Sequence, residues 1–180
     1  NALEALVCVN VTVVSPILMV KSKKKIESFK TVPYKFSDKN EPTDFELFYR
    51  KNKEEYRYNI SFLKGRIVYE SLYVLTENAK KPTKIFIREG NKIELGEELR
   101  KEKVNTNNNM DIPFLSFLAI SYNIKTINSA ISFFLTTSAI NCDSQRFENV
   151  FMNLMFINNS IKSKFLEILN NMDIDIVDYR

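Results

Sequence analysis

The sequence predicts an α+β fold in which an antiparallel β meander of about five strands has helices before and after it. Three observations carry the prediction. Between Pro42 and Leu95, short runs rich in β-branched and aromatic residues alternate with short polar breaks, as hairpins punctuate a chain. From Asp111 onward the apolar spacing changes to three and four, which is helical. Hydrophobic content of 44%, with 14 Phe and 8 Tyr, supplies a core, and 27% charge suits a folded chain of one domain or one domain with an appendage.

At the N-terminus, Leu3, Leu6, Val7 and Asn10 have helical spacing, whereas Val11 to Val14 is a β-branched run that favours an extended chain. A helix ending before Pro16 is expected. The apolar stretch to Val20 is interrupted by Glu4, Asn10 and Pro16, and its basic residues follow it, so a buried segment is preferred to a membrane span or signal peptide. Lys21 to Lys30 then concentrates positive charge. It reads as a solvated loop, with Lys21, Lys23, Lys24, Lys25 and Lys30 as the candidate nucleic-acid contacts.

The expected strands are Phe45 to Arg50, Glu55 to Leu63, Ile67 to Leu75, Lys84 to Arg88 and Lys92 to Leu95. Tyr56, Tyr58, Ile60 and Phe62 alternate with Arg57, Asn59 and Ser61, placing one face on a core and one toward water. Val68, Leu72 and Val74 alternate with Tyr69, Ser71 and Tyr73 in a strand that reads as central. Lys64-Gly65 supplies the positive φ of a tight hairpin. An outward row of Tyr, Arg and Lys would suit base stacking, against which stands the plain packing preference of Tyr on a pleated surface.

A short helix over Glu97 to Lys103 and an Asn-rich loop to Asn109 follow. Phe114 to Tyr122 and Lys125 to Thr136 read as helices, the first started by Asp111 and Pro113. The weakly charged region to Cys142 raises a transmembrane hairpin, but Asn123, Lys125 and Asn128 in mid-stretch favour buried helices. Arg146 to Phe156 is a further amphipathic candidate, and Ser160 reads as the N-cap of Ile161 to Met172. Asp173, Asp175 and Asp178 alternate with apolar residues in the start of a strand; water-facing carboxylates are preferred there to a divalent-cation site. The divisions are thus 1–32, a helix, extended segment and basic loop; 33–96, the β lobe; and 97–180, a helical region ending in a strand start.

Several chemistries are excluded by composition. Histidine is absent, which removes Ser/His/Asp and Cys/His catalysis and histidine-based zinc sites. Three glycines occur, none in a phosphate-cradling arrangement. Two cysteines, Cys8 and Cys142, fit a reducing compartment, so a cytoplasmic location is expected. A net charge of +4 leaves any nucleic-acid case to local clusters.

Two sets of phrases carry a family resemblance. Asn1-Ala2-Leu3-Glu4-Ala5-Leu6 resembles the helix that directly follows the phosphate-binding loop in bacterial P-loop ATPases with ABC/SMC-like heads. Glu41-Pro42-Thr43-Asp44-Phe45-Glu46-Leu47, Tyr56-Arg57-Tyr58-Asn59-Ile60-Ser61-Phe62, Val68-Tyr69-Glu70-Ser71-Leu72-Tyr73 and Ile85-Phe86-Ile87-Arg88-Glu89-Gly90 are similar, in that order, to the antiparallel lobe that comes next in those proteins. The resemblance implies an internal piece of such an ATPase, DNA-associated or phage-defence in kind. The phosphate-binding loop would precede Asn1 and the magnesium-holding carboxylates would follow Arg180. It further implies that ATP and magnesium belong to the parent, that this chain has no catalytic or metal residues of its own, and that its partner is the rest of the head or a second copy. The alternative is a stand-alone nucleic-acid module built from the Tyr-bearing sheet and the lysine loop. A lobe of a larger head is expected to expose apolar surface near Leu3 to Val14 and Ile174 to Val177.

Overall fold

The computed structural model describes residues 2–22, 40–106, 112–137, 153 and 158–171, with the backbone alone for residues 2–4, 21, 22, 169 and 170. Residues 1–138 form one compact unit and residues 139–180 a second.

In the first unit five strands form one antiparallel sheet in the order β1-β2-β3-β4-β5, spanning Thr43–Lys51, Glu54–Leu63, Arg66–Leu75, Thr83–Glu89 and Lys92–Leu95. The expected meander is therefore present. Its first two turns are two-residue loops, Asn52-Lys53 and Lys64-Gly65, in which both residues have positive φ (51° and 67°, 51° and 76°). This geometry matches the twist of the strands that it joins. The alternation on β2 is as expected, with Tyr56, Tyr58, Ile60 and Phe62 buried. Register shifts occur between Ser61 and Phe62 and between Leu72 and Tyr73. The second of these lets consecutive residues of β4, Ile85 and Phe86, both be buried.

Helices cover the inner face. α1 is Ala2–Ser22, α2 Glu97–Lys101, α3 Phe114–Ser121 and α4 Lys125–Thr136. On β1, Tyr49 stacks between Tyr56 (5.2 Å) and Phe133 of α4 (4.2 Å), while Phe86 meets Phe114 of α3 edge-on at 5.0 Å. These ring contacts close the sheet against the helical layer. α1 packs on α3 and α4, burying Val9 and Val13 in the same core.

The extended reading of Val11 to Val14 and the helix end before Pro16 are both overturned, since α1 runs unbroken through Pro16. Proline removes the hydrogen bond to the Thr12 carbonyl and loosens that turn. Ser116 Oγ of α3 donates to the neighbouring Val13 carbonyl at 2.7 Å, and Asn10 Nδ2 donates to the Phe134 and Thr137 carbonyls at the end of α4. Tertiary hydrogen bonds and burial of one valine stripe thus outweigh the local preference for extension.

In the second unit α5 is Asn159–Asn171. Its cap is Asn158 and not Ser160, because Asn158 Oδ1 accepts from the amides of Ser160 (3.0 Å) and Ile161 (3.3 Å). Apart from Asn153, the candidate helix Arg146 to Phe156 lies outside the described residues, as does the segment Asp173 to Tyr179. Among the described residues no helix is long and apolar enough to cross a membrane.

Candidate functional site

Of the candidate nucleic-acid contacts, Lys21 lies in the last turn of α1, and Lys23, Lys24, Lys25 and Lys30 lie outside the described residues. Asp173, Asp175 and Asp178 also lie outside them. Among the described residues, no group of three or more potential ligands could hold a metal ion.

The outward face of the sheet carries both signs of charge in neighbouring pairs. Arg57 Nε meets Glu46 Oε1 at 2.5 Å, Arg50 pairs with Glu55, and Lys84 pairs with Glu94. A phosphate backbone laid on this face would meet carboxylates beside each of these cations. Tyr49, Tyr56 and Tyr58 are in the core, leaving Tyr69 and Tyr73, both half-buried, to the outward face. Phe48 is the exception to the polar lining: it is 70% exposed, with the Arg57 guanidinium 5.7 Å from its ring centre.

Where the turn between β1 and β2 reaches over α4, Asn52, Glu54, Asn123, Lys125, Asn128, Ser129 and Ser132 line a cleft of about 730 Å³. Asn52 Nδ2 donates to Ser129 Oγ at 3.2 Å, which pins the turn to the helix. The lining is polar throughout, unlike the mainly apolar wall of an ordinary small-molecule pocket.

The most concentrated chemistry lies inside. Glu70 on β3 and Arg88 on β4 are cross-strand partners on the inner face, and both are fully buried. Glu70 Oε2 accepts the Phe114 amide at 2.6 Å, and Oε1 accepts the Leu115 amide at 3.0 Å and the Tyr58 hydroxyl at 3.0 Å. Arg88 Nη1 lies 3.7 Å from Glu70 Oε2 and donates to the Ile112 carbonyl at 2.9 Å, while Nε donates to the Gly90 carbonyl at 3.3 Å. The sheet thereby grips the entry to α3 by one carbonyl and two amides. Pro113 precedes α3 without a side-chain cap, so the buried carboxylate takes the capping role that Asp111 and Pro113 were expected to fill.

Burial pushes the Glu70 carboxyl upward from the ordinary range; the Leu115 and Phe114 amides, the Arg88 charge and the Tyr58 hydroxyl pull the other way without reversing it. Tyr58 is raised well above the usual phenol by burial and then by the Glu70 charge. A carboxylate with both oxygens engaged and no exposure to solvent holds elements together and cannot reach a substrate. Glu70 and Arg88 were not singled out by chemistry at the level of sequence. The signal was there, because the alternation that sets Leu72 and Val74 inward sets Glu70 inward too.

No family model, curated protein or solved structure matches this chain.

Proposed function

We propose that the chain is a non-catalytic lobe of a cytoplasmic P-loop ATPase with an ABC/SMC-like head, DNA-associated or phage-defence in kind, whose ATP and magnesium are held by other parts of the parent. The observation that carries this reading is the division of α1. One stripe, Val9 and Val13, is buried against α3 and α4, while Val7, Val11, Leu18 and Val20 are exposed, Leu18 at 55% and Val20 at 58%. An exposed apolar stripe of this kind suits a further layer of protein on that side. The phrases that carry the resemblance also fall on consecutive strands: Phe45-Glu46-Leu47 on β1, Tyr56 to Phe62 on β2, Val68 to Tyr73 on β3 and Ile85 to Arg88 on β4. In this reading Glu70 and Arg88 keep the helical layer in register with the sheet, and the lobe braces the nucleotide site or a partner.

The coding sequence around these residues tests the reading directly. A Gly-Lys-Ser or Gly-Lys-Thr ending immediately before Asn1 or Leu3 is expected, and any other sequence there removes the main support. A second test uses the purified 180 residues, which are expected to release no phosphate from ATP with magnesium. Turnover that survives repeated purification would overturn the assignment of catalysis to the rest of the parent.

A further inference from the structure

β1 is an end strand of the sheet, and among the described residues no strand lies on its other side. It pairs with β2 from Thr43↔Phe62 to Lys51↔Glu54 without a register shift, and it contains no proline. The edge thus lacks the bulge or proline by which natural proteins commonly discourage strand addition. The core is also thinner here. Tyr49 is buried under Phe133, whereas Phe45 and Leu47, on the same inner face, are only half-buried.

The order of residues along β1 is self-complementary when read antiparallel about Leu47. Asp44 falls opposite Arg50 of a second copy, and Arg50 opposite its Asp44. Phe45 falls opposite Tyr49 of that copy, Thr43 opposite Lys51, and Leu47 opposite Leu47. A two-fold axis at Leu47 therefore makes two pairs of opposite charge on the outward face and two aromatic pairs on the inner face. The covered end of each strand meets the open end of the other. Arg50 already pairs with Glu55 within the chain but remains 71% exposed, so its guanidinium retains room for a second carboxylate.

We infer that the free edge of β1 is a contact between two copies of this chain, which join antiparallel about Leu47 into a continuous ten-stranded sheet. The contact is separate from the exposed stripe of α1 and from any nucleotide-driven closure of a parent.

Sedimentation equilibrium on the full chain at tens of micromolar tests it. The wild type is expected to dimerise, and the dimer to weaken with added salt. Asp44→Arg sets Arg against Arg, and Arg50→Asp sets Asp against Asp, so each alone is expected to weaken association by about tenfold or more. Mixing the two variants restores both opposite-charge pairs and is expected to give a heterodimer; the double variant D44R/R50D is expected to dimerise by itself. A monomeric wild type, a dimer indifferent to both single changes, or a mixture that stays monomeric would each overturn the inference. Circular dichroism checks that the single variants fold. Should either fail to fold, the double variant decides, with a dimer supporting the contact and a monomer removing it.

Discussion

At the scale of single residues, Glu70 has the sharpest consequences. Its carboxyl is bound to two amides and a phenol beside Arg88, all in a place that water does not reach. Glu70→Ala leaves the Arg88 charge and two helix amides without it, and a loss of about 3–5 kcal/mol in urea unfolding is expected. Glu70→Gln keeps one acceptor and the volume, and should cost clearly less. The pH dependence follows from the upward shift of the carboxyl. The folded state holds the Glu70 proton more tightly than the unfolded chain does. The contribution is therefore complete below the ordinary glutamate range and is lost as pH rises through the folded value. The stability of the wild type relative to Glu70→Gln is expected to fall between about pH 4 and about pH 7, in thermal melts of both proteins in parallel. A rise over that interval would mean that Arg88 and the amides outweigh burial.

Among elements, the junction between β5 and α2 depends on a close approach. Gly96 has an ordinary φ of −68°, yet a Cβ there would lie 2.1 Å from the Lys84 carbonyl oxygen and 2.7 Å from that of Ile85. Its own amide donates to the Ile85 carbonyl at 2.7 Å, so the backbones cannot separate without losing that bond. Gly96→Ala is expected to cost about 1–3 kcal/mol through displaced backbone, read as a lower denaturation midpoint with unchanged slope. By contrast, Gly90 has φ 54° and open space around it, so its glycine serves the turn and not the packing. α1 shows the complementary case, in which a helix persists through Pro16 because Ser116 of another helix satisfies a carbonyl in the loosened turn.

For the molecule as a whole, the two sides of α1 should respond differently to the same change. Val13 is fully buried and Val11 is 46% exposed. Val13→Ala is expected to cost about 1–3 kcal/mol of stability, and Val11→Ala to stay within about 0.5 kcal/mol. Equal losses in chemical denaturation would mean that the exposed stripe is covered in the isolated chain, and would remove the observation behind the proposed lobe. Much of the first unit was legible in the sequence. Strand periodicity two, the punctuating polar breaks and the helical spacing after Asp111 are local signals, and they placed all five strands together with α3 and α4. The candidate sites were less legible, since the lysines and aspartates that drew attention lie at or beyond the edges of the described residues. What the sequence determined by itself was this local grammar, because side-chain period and turn chemistry act over a few residues. Only the tertiary structure decided that Val11 to Pro16 is helical, that Glu70 caps α3 from the sheet, and that Gly96 is fixed by a neighbouring strand. Each depends on a partner 40 or more residues away, or on a strand brought close by pairing, and no local pattern encodes such a meeting.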